Sequence, residues 1–195
     1  MAEFAARVSQ GHIGRARFLA TNEIARSNRK IIMQLPMRLG SLASALEAAQ
    51  ILVDIATKEA NAESETRDML EIEKLQAAYG KGATGRGMAT GGSKAVKELE
   101  REQKSRATRM VRDSIDGALL DLATFYRDVM LVQAGSMDAL INSDFSAEIE
   151  KSALGTRADS STKKLDAIMQ TRAQLAMNTA PLASIDALMC RLAQP

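Results

Sequence analysis

The sequence contains few of the residues that supply reactive groups or large core rings. It has no Trp, one His and one Cys, and aromatic residues make up 3% of its 195 residues. The lone Cys190 excludes an intrachain disulfide and a thiolate cluster, and the single His leaves no metal-ligand spacing. We therefore expect no catalytic residue, no metal and no cofactor in this chain.

Long apolar runs and phosphate-binding loops are also lacking. The opening segment MAEFAARVSQ has no apolar core of the kind that a secretory signal needs, and no uncharged run approaches the ~18 residues of a membrane span. The segment GKGATGRG, Gly80 to Gly87, has neither a preceding strand pattern nor the Lys-Ser/Thr ending of a phosphate-binding loop. The sequence predicts a soluble, cytoplasmic protein.

Helix-forming residues dominate what remains. Hydrophobic residues make up 46% of the chain, only three Pro are present, and no run of β-branched residues alternates with polar ones. The sequence therefore predicts an all-α fold, a helical bundle packed by Leu, Ile, Ala, Val and Met. Apart from two longer helices, shorter ones are expected at residues 22–35, 136–142, 146–154, 160–178 and 181–193.

The middle of the chain predicts a long antiparallel helical hairpin. Six glycines between Tyr79 and Lys94 disfavour helix and indicate a flexible tip at about residues 80–93. Before the tip, apolar residues recur at steps of three and four from Leu42 to Ala56, and a similar stripe runs from Val96 to Val132 after it. Each helix would approach 40 residues, or about 60 Å.

Charge is divided between the two arms of this hairpin. Residues 40–80 carry three basic and eight acidic side chains, whereas residues 81–112 carry nine basic and three acidic ones. The arms would then form ion pairs with each other, each contributing about 0.2–1 kcal/mol. An alternative is that the basic arm follows a nucleic-acid backbone. Its contacts would be Arg101, Lys104, Arg106 and Arg109.

Three residues in the second long helix are candidates for a partner interface. Phe125, Tyr126 and Arg127 are consecutive in FYRDVM, and an aromatic pair beside an arginine is a composition that interfaces favour. The alternative is that the rings form a core edge and Arg127 an exposed charge.

Three segments together resemble a known family. They are SQGHIGRARFLA at residues 9–20, LLDLATFYRDVMLVQAG at 119–135 followed by LIN, and the closing stretch from Leu165 to Ala193. In this order they are similar to the C-terminal part of bacterial DNA polymerase III clamp-loader subunits, delta-prime more than gamma/tau. The resemblance covers nearly the whole chain.

The resemblance implies a division of the chain and a set of partners. Residues 1–21 would be the end of the AAA+ lid domain and residues 22–195 a helical collar that binds gamma/tau and delta. The collar would meet the sliding clamp and primed DNA only through the whole complex.

The resemblance also bears on nucleotide binding. The arginine that active loaders carry shortly after the lid glycine would fall at Gly14, counted from Gly11, with Arg15 beside it. A non-hydrolysing, delta-prime-like subunit is therefore expected, with Arg15 as the one possible nucleotide contact. A gamma/tau-type ATPase fragment and a generic helical interaction module are the alternatives.

Overall fold

The structure, a computed structural model, describes residues 1–79, 92–137, 139–177 and 179–194, except the side chains at 63 and 66. Within those ranges the regular structure is helical and contains no strand, which confirms the all-α prediction. The helices are α1 (Ala2–Val8), α2 (Ile13–Thr21), α3 (Glu23–Gln34), α4 (Leu42–Ala78), α5 (Gly92–Gln133), α6 (Ser146–Gly155), α7 (Ala158–Ala176) and α8 (Pro181–Leu192). None of these described helices carries an apolar stretch long enough to cross a bilayer.

Side-chain caps fix several helix starts. The Asn22 side chain accepts a hydrogen bond from the backbone N–H of Ala25 (3.1 Å) at the start of α3. The Ser41 hydroxyl accepts one from the N–H of Ser44 (3.2 Å) at the start of α4. Pro181 occupies the first position of α8, where its missing N–H costs nothing. These starts agree with those predicted from the sequence.

The helix predicted at residues 136–142 is wrong, because the described residues of that segment form turns. Gly135 adopts a positive φ of 81° and ends the helical course of α5. Beyond it, the N–H groups of Ile141 and Asn142 donate to the carboxylate of Asp128 instead of to a helical carbonyl. The segment returns to helix only through a short 3₁₀ turn, Ser143–Phe145, before α6.

The chain forms two compact units, and the lid–collar boundary expected at residue 21 stays a prediction. The first unit comprises residues 1–55 and 115–195, so α1 and α2 belong to the same unit as α6, α7 and α8. Its core is centred on α5, in which the six consecutive residues 121–126 are all buried. A smaller apolar cluster of Ala5, Val8, Leu19 and Ala25 joins α1, α2 and α3.

The second unit, residues 56–114, is an antiparallel helix pair. The Ser114 hydroxyl donates to Glu59 (2.9 Å), and the Gln103 amide donates to the carbonyl of Asp68 (3.0 Å), so residue numbers rise on one helix as they fall on the other. With α4 at 37 residues and α5 at 42, the prediction of a long antiparallel hairpin is confirmed. Most of the tip predicted at about residues 80–93 lies outside the described residues, and α5 already begins at Gly92.

Candidate functional site: a buried ionic network around Arg29

Arg29 of α3 is the centre of a buried polar network in the first unit. Its side chain is only 3% exposed, and its Nε donates to Oδ1 of Asp121 on α5 at 3.0 Å. Nη1 lies 3.4 Å from Oδ2 of Asp144, and Nη2 donates to Oδ1 of Asn142. The three donor atoms of the guanidinium thus connect α3 to α5 and to the segment that precedes α6.

Two aromatic rings flank the same guanidinium. The Cζ atom of Arg29 lies 5.5 Å from the ring centroid of Phe4 on α1 and 5.9 Å from that of Phe145. At these distances a cation–π interaction contributes about 0.5–2 kcal/mol, with the higher values in desolvated sites. Arg29 therefore also binds α1 to the bundle.

A second arginine shares the Asp121 carboxylate. Nη2 of Arg15 on α2 lies 2.6 Å from Oδ2 of Asp121, and Nη1 donates to the carbonyl of Gly117 at 2.9 Å. Each oxygen of Asp121 thus faces a different arginine. The residue predicted as a possible nucleotide contact has both terminal nitrogens bound within the protein.

Asp128, two helical turns after Asp121 on α5, holds the turn segment before α6. It is completely buried, and its Oδ2 accepts hydrogen bonds from the backbone N–H (2.7 Å) and the side-chain amide (2.9 Å) of Asn142. Arg127 donates to Oδ1 of Asp128 (2.7 Å) and to the carbonyl of Ala139 (3.1 Å). The amide of Asn142 also reaches Thr124, at 3.1 Å.

The network satisfies its own charges. Buried ions are tolerated only when they are paired and hydrogen-bonded, and each buried carboxylate here has at least one arginine. At the outer edge, Arg7 donates to Ser143 and lies 3.9 Å from Asp144. The ion pairs and hydrogen bonds of the network fix the positions of α1, α2 and α3 on α5. We call this network the ionic joint.

Phe125 and Tyr126 do not form a surface for a partner, so that prediction is wrong for the two rings. Both are buried, and they pack edge to face with their centroids 5.4 Å apart. Burial also raises the pKa of the Tyr126 phenol, which keeps it neutral. Arg127 is 42% exposed, but its Nη1 is bound as described above.

The four basic residues predicted to follow a nucleic-acid backbone are not equivalent. Arg106 faces the acidic helix, where its Nη2 lies 2.5 Å from both Asp68 and Glu71, so its guanidinium is not presented as an outward phosphate contact. Arg101 is exposed and lies 3.5 Å from Glu98 on its own helix. Lys104 and Arg109 are exposed. The pairing of Arg106 is the arm-to-arm contact that the charge pattern predicts.

The ion pairs of the second unit make its stability vary with pH in the acid range. Hydrogen bonds from Arg106, then Arg67, lower the pKa of Glu71 from 4.5 to about 2. A carboxyl whose pKa is lower in the folded state stabilises that state above its unfolded pKa, and this contribution is lost as the pH falls toward 2. We expect the difference in melting temperature between wild type and Glu71→Gln to shrink between pH 4.5 and pH 2, as measured by circular dichroism. Glu102→Gln, at an exposed position, is the matched control, and an equal pH-dependent difference in that variant would contradict the assignment.

The sequence pattern did not predict Arg29, Asp121, Asp128 or Asn142 as a site. One signal was available: Asp121 and Asp128 are seven residues apart on an otherwise apolar stretch of α5, which places two carboxylates on one side of a buried helix. Among the described residues, no group of three or more His, Cys, Asp and Glu is arranged to hold a metal ion.

Comparison with known proteins identifies no relative. No protein-family model matches the chain, and no curated protein or solved structure shows significant similarity to it. A function for the chain must therefore be argued from its residues and contacts and from the resemblance of its three segments to clamp-loader subunits.

Proposed function

We propose that this chain is a non-catalytic assembly region of a bacterial DNA polymerase III clamp-loader subunit, of the delta-prime type. In this proposal residues 1–21 end the AAA+ lid domain and residues 22–195 are the collar. The partners are the gamma/tau and delta subunits, and the sliding clamp and primed DNA are met only through the whole complex. A cytoplasmic location in a bacterial cell follows from that role.

The observation that carries the proposal is the ionic joint between the first helices and the bundle. Arg7 and Arg15 come from the proposed end of the lid, whereas Asp121 and Asp144 come from the proposed collar. Arg29 lies between them and binds both carboxylates. A subunit that stays fixed while its neighbours move needs its lid and collar to move together, and a buried joint of this kind provides that coupling.

The contacts of Arg15 favour the delta-prime type over the gamma/tau type. An arginine that senses a terminal phosphate must extend its guanidinium toward the nucleotide. Here Nη2 is 2.6 Å from Asp121 and Nη1 is bound to the Gly117 carbonyl, so Arg15 would have to break an ion pair to do so. A structural role for Arg15 agrees with a subunit that does not hydrolyse ATP.

Size-exclusion chromatography with light scattering tests this proposal. The chain is measured alone and after mixing at tens of micromolar with the gamma/tau subunit from the same source. We expect a mixed species whose mass corresponds to a whole number of copies of each of the two chains. An unrelated helical protein of similar mass, used in place of gamma/tau, is the control and should elute separately from the chain.

The same experiment separates the clamp-loader role from that of a generic helical interaction module. A mixed species with gamma/tau supports the clamp-loader role. If no mixed species forms at protein concentrations far above the dissociation constant of a stable complex, the role is overturned. In the second case the remaining function is that of a generic helical interaction module.

A further inference from the structure

A groove in the first unit, away from the Arg29 network, concentrates positive charge between α7 and α8. The two helices pack against each other, and an open surface groove of about 310 Å³ lies between them. Its lining includes Ser160, Lys163, Lys164, Gln170, Arg191 and Gln194. Two lysines from one helix and an arginine from the other thus face the same small volume.

The charges of the groove are only partly balanced by the protein. Among the described residues, Asp166 is the one carboxylate in its lining. Lys163 lies 3.8 Å from Asp159, and Nη1 of Arg191 lies 3.5 Å from the neutral amide oxygen of Gln170. Both are weak contacts at these distances.

Lys164 is the least compensated of the three cations. It is partly buried, and its ammonium group makes no ion pair or hydrogen bond with any residue in the described ranges. Burial lowers the pKa of Lys164, and no neighbouring carboxylate opposes that effect. An ammonium group without an internal partner in the described ranges is available to pair with an external anion.

We propose that the groove between α7 and α8 binds a small phosphorylated ligand through Lys164, Lys163 and Arg191. A phosphate monoester carries close to two negative charges, and the three cations leave the groove with a net positive charge after Asp166 and the Lys163-bound Asp159 are counted. The amides of Gln170 and Gln194 and the Ser160 hydroxyl supply further hydrogen-bond donors. A groove of about 310 Å³ lies at the lower end of small-molecule sites, and is large enough for a phosphate with a sugar-sized group. This site is independent of the proposed assembly role.

Isothermal titration calorimetry of the full chain tests the site with two probes, inorganic phosphate and ribose 5-phosphate. Ionic strength is held constant with NaCl, and ribose serves as the uncharged control. We expect saturable binding of ribose 5-phosphate and none of ribose. Tighter binding of ribose 5-phosphate than of inorganic phosphate would show that the groove accepts an ester, whereas equal affinities would show that it recognises the phosphate group alone.

Three variants locate the binding. Lys164→Gln combined with Arg191→Gln is expected to weaken ribose 5-phosphate binding by at least about tenfold, since each removes a charge-assisted hydrogen bond. Lys151→Gln, at an exposed position on α6, removes one charge elsewhere and should leave the affinity unchanged. Arg191→Lys keeps the charge of the groove and should retain most of the binding, which checks that the site survives substitution.

Either of two results would overturn the proposal. The first is the absence of saturable binding by either phosphate probe in the millimolar range. The second is equal weakening in Lys151→Gln and in the double variant, because that would indicate attraction by net charge and not by this groove. Circular dichroism of each variant confirms that the comparison is made between folded proteins.

Discussion

Replacing Arg29 by methionine is expected to lower the free energy of unfolding of the first unit by about 3–5 kcal/mol. Methionine keeps much of the length and apolar character of the arginine stem while it removes the guanidinium. Asp121 then retains only Arg15, and Asn142 and Asp144 each lose a hydrogen-bond donor inside the protein. The large effect is expected because breaking a buried pair leaves charge and polar atoms without compensation.

The neighbouring residue on the same helix provides the control. Lys30 is exposed, so Lys30→Met removes the same charge at a surface position and should change the free energy of unfolding by less than about 0.5 kcal/mol. Urea denaturation followed by circular dichroism measures both variants. A loss below about 1 kcal/mol in Arg29→Met would contradict the network as a stabilising joint.

A double-mutant cycle isolates the Arg29–Asp121 pair. Asp121→Asn alone leaves Arg15 and Arg29 facing a neutral amide, so it should also be strongly destabilising. If the two residues act through their contact, the loss in the double variant should be smaller than the sum of the two single losses, by about 1–3 kcal/mol. Additive losses would indicate that each residue acts through other contacts.

Replacing Phe125 by alanine has the second large expected effect, a loss of about 3–5 kcal/mol in the free energy of unfolding. The ring has no exposed surface and packs edge to face on Tyr126, so its removal leaves a cavity at the centre of the first unit. Phe18→Ala removes an equally large ring that is 39% exposed, and a smaller loss of about 1–2 kcal/mol is expected there.

The same pair of variants checks where the aromatic residues act. Urea denaturation of Phe125→Ala and Phe18→Ala gives the two free energies directly. If Phe125→Ala were as stable as the wild type, the Phe125 ring would not be part of the core. The prediction that Phe125 contacts a partner would then be the better interpretation.

The long helices and the pairing of their arms were predictable because they depend on local patterns. A stripe of apolar residues at helical spacing defines one face of each arm, and an acidic arm followed by a basic one favours antiparallel pairing. The contact of Arg106 with Asp68 and Glu71 realises that pattern. The helix starts at Ser41 and Pro181 are equally local, since each depends on one residue with a known capping preference.

The Arg29 network was not predictable in the same way. Arg29 and Asp121 are 92 residues apart in the chain, and no local pattern indicates which distant charge a buried arginine will meet. The burial of Phe125 and Tyr126 has a related cause. A helix with one buried face would expose one of two adjacent residues, but residues 121–126 of α5 are all buried here. Only the largely apolar composition around residues 118–132 signals that.

Native-state hydrogen exchange of the full chain tests most directly whether the Arg29 network joins the first helices to the bundle. The account predicts that the amides of α2 exchange with an opening free energy close to that of α5 residues 115–133, and that Arg29→Met lowers protection in α2 more than in α5. Little protection of α2 in the wild type, with full protection of α5, would contradict the joint.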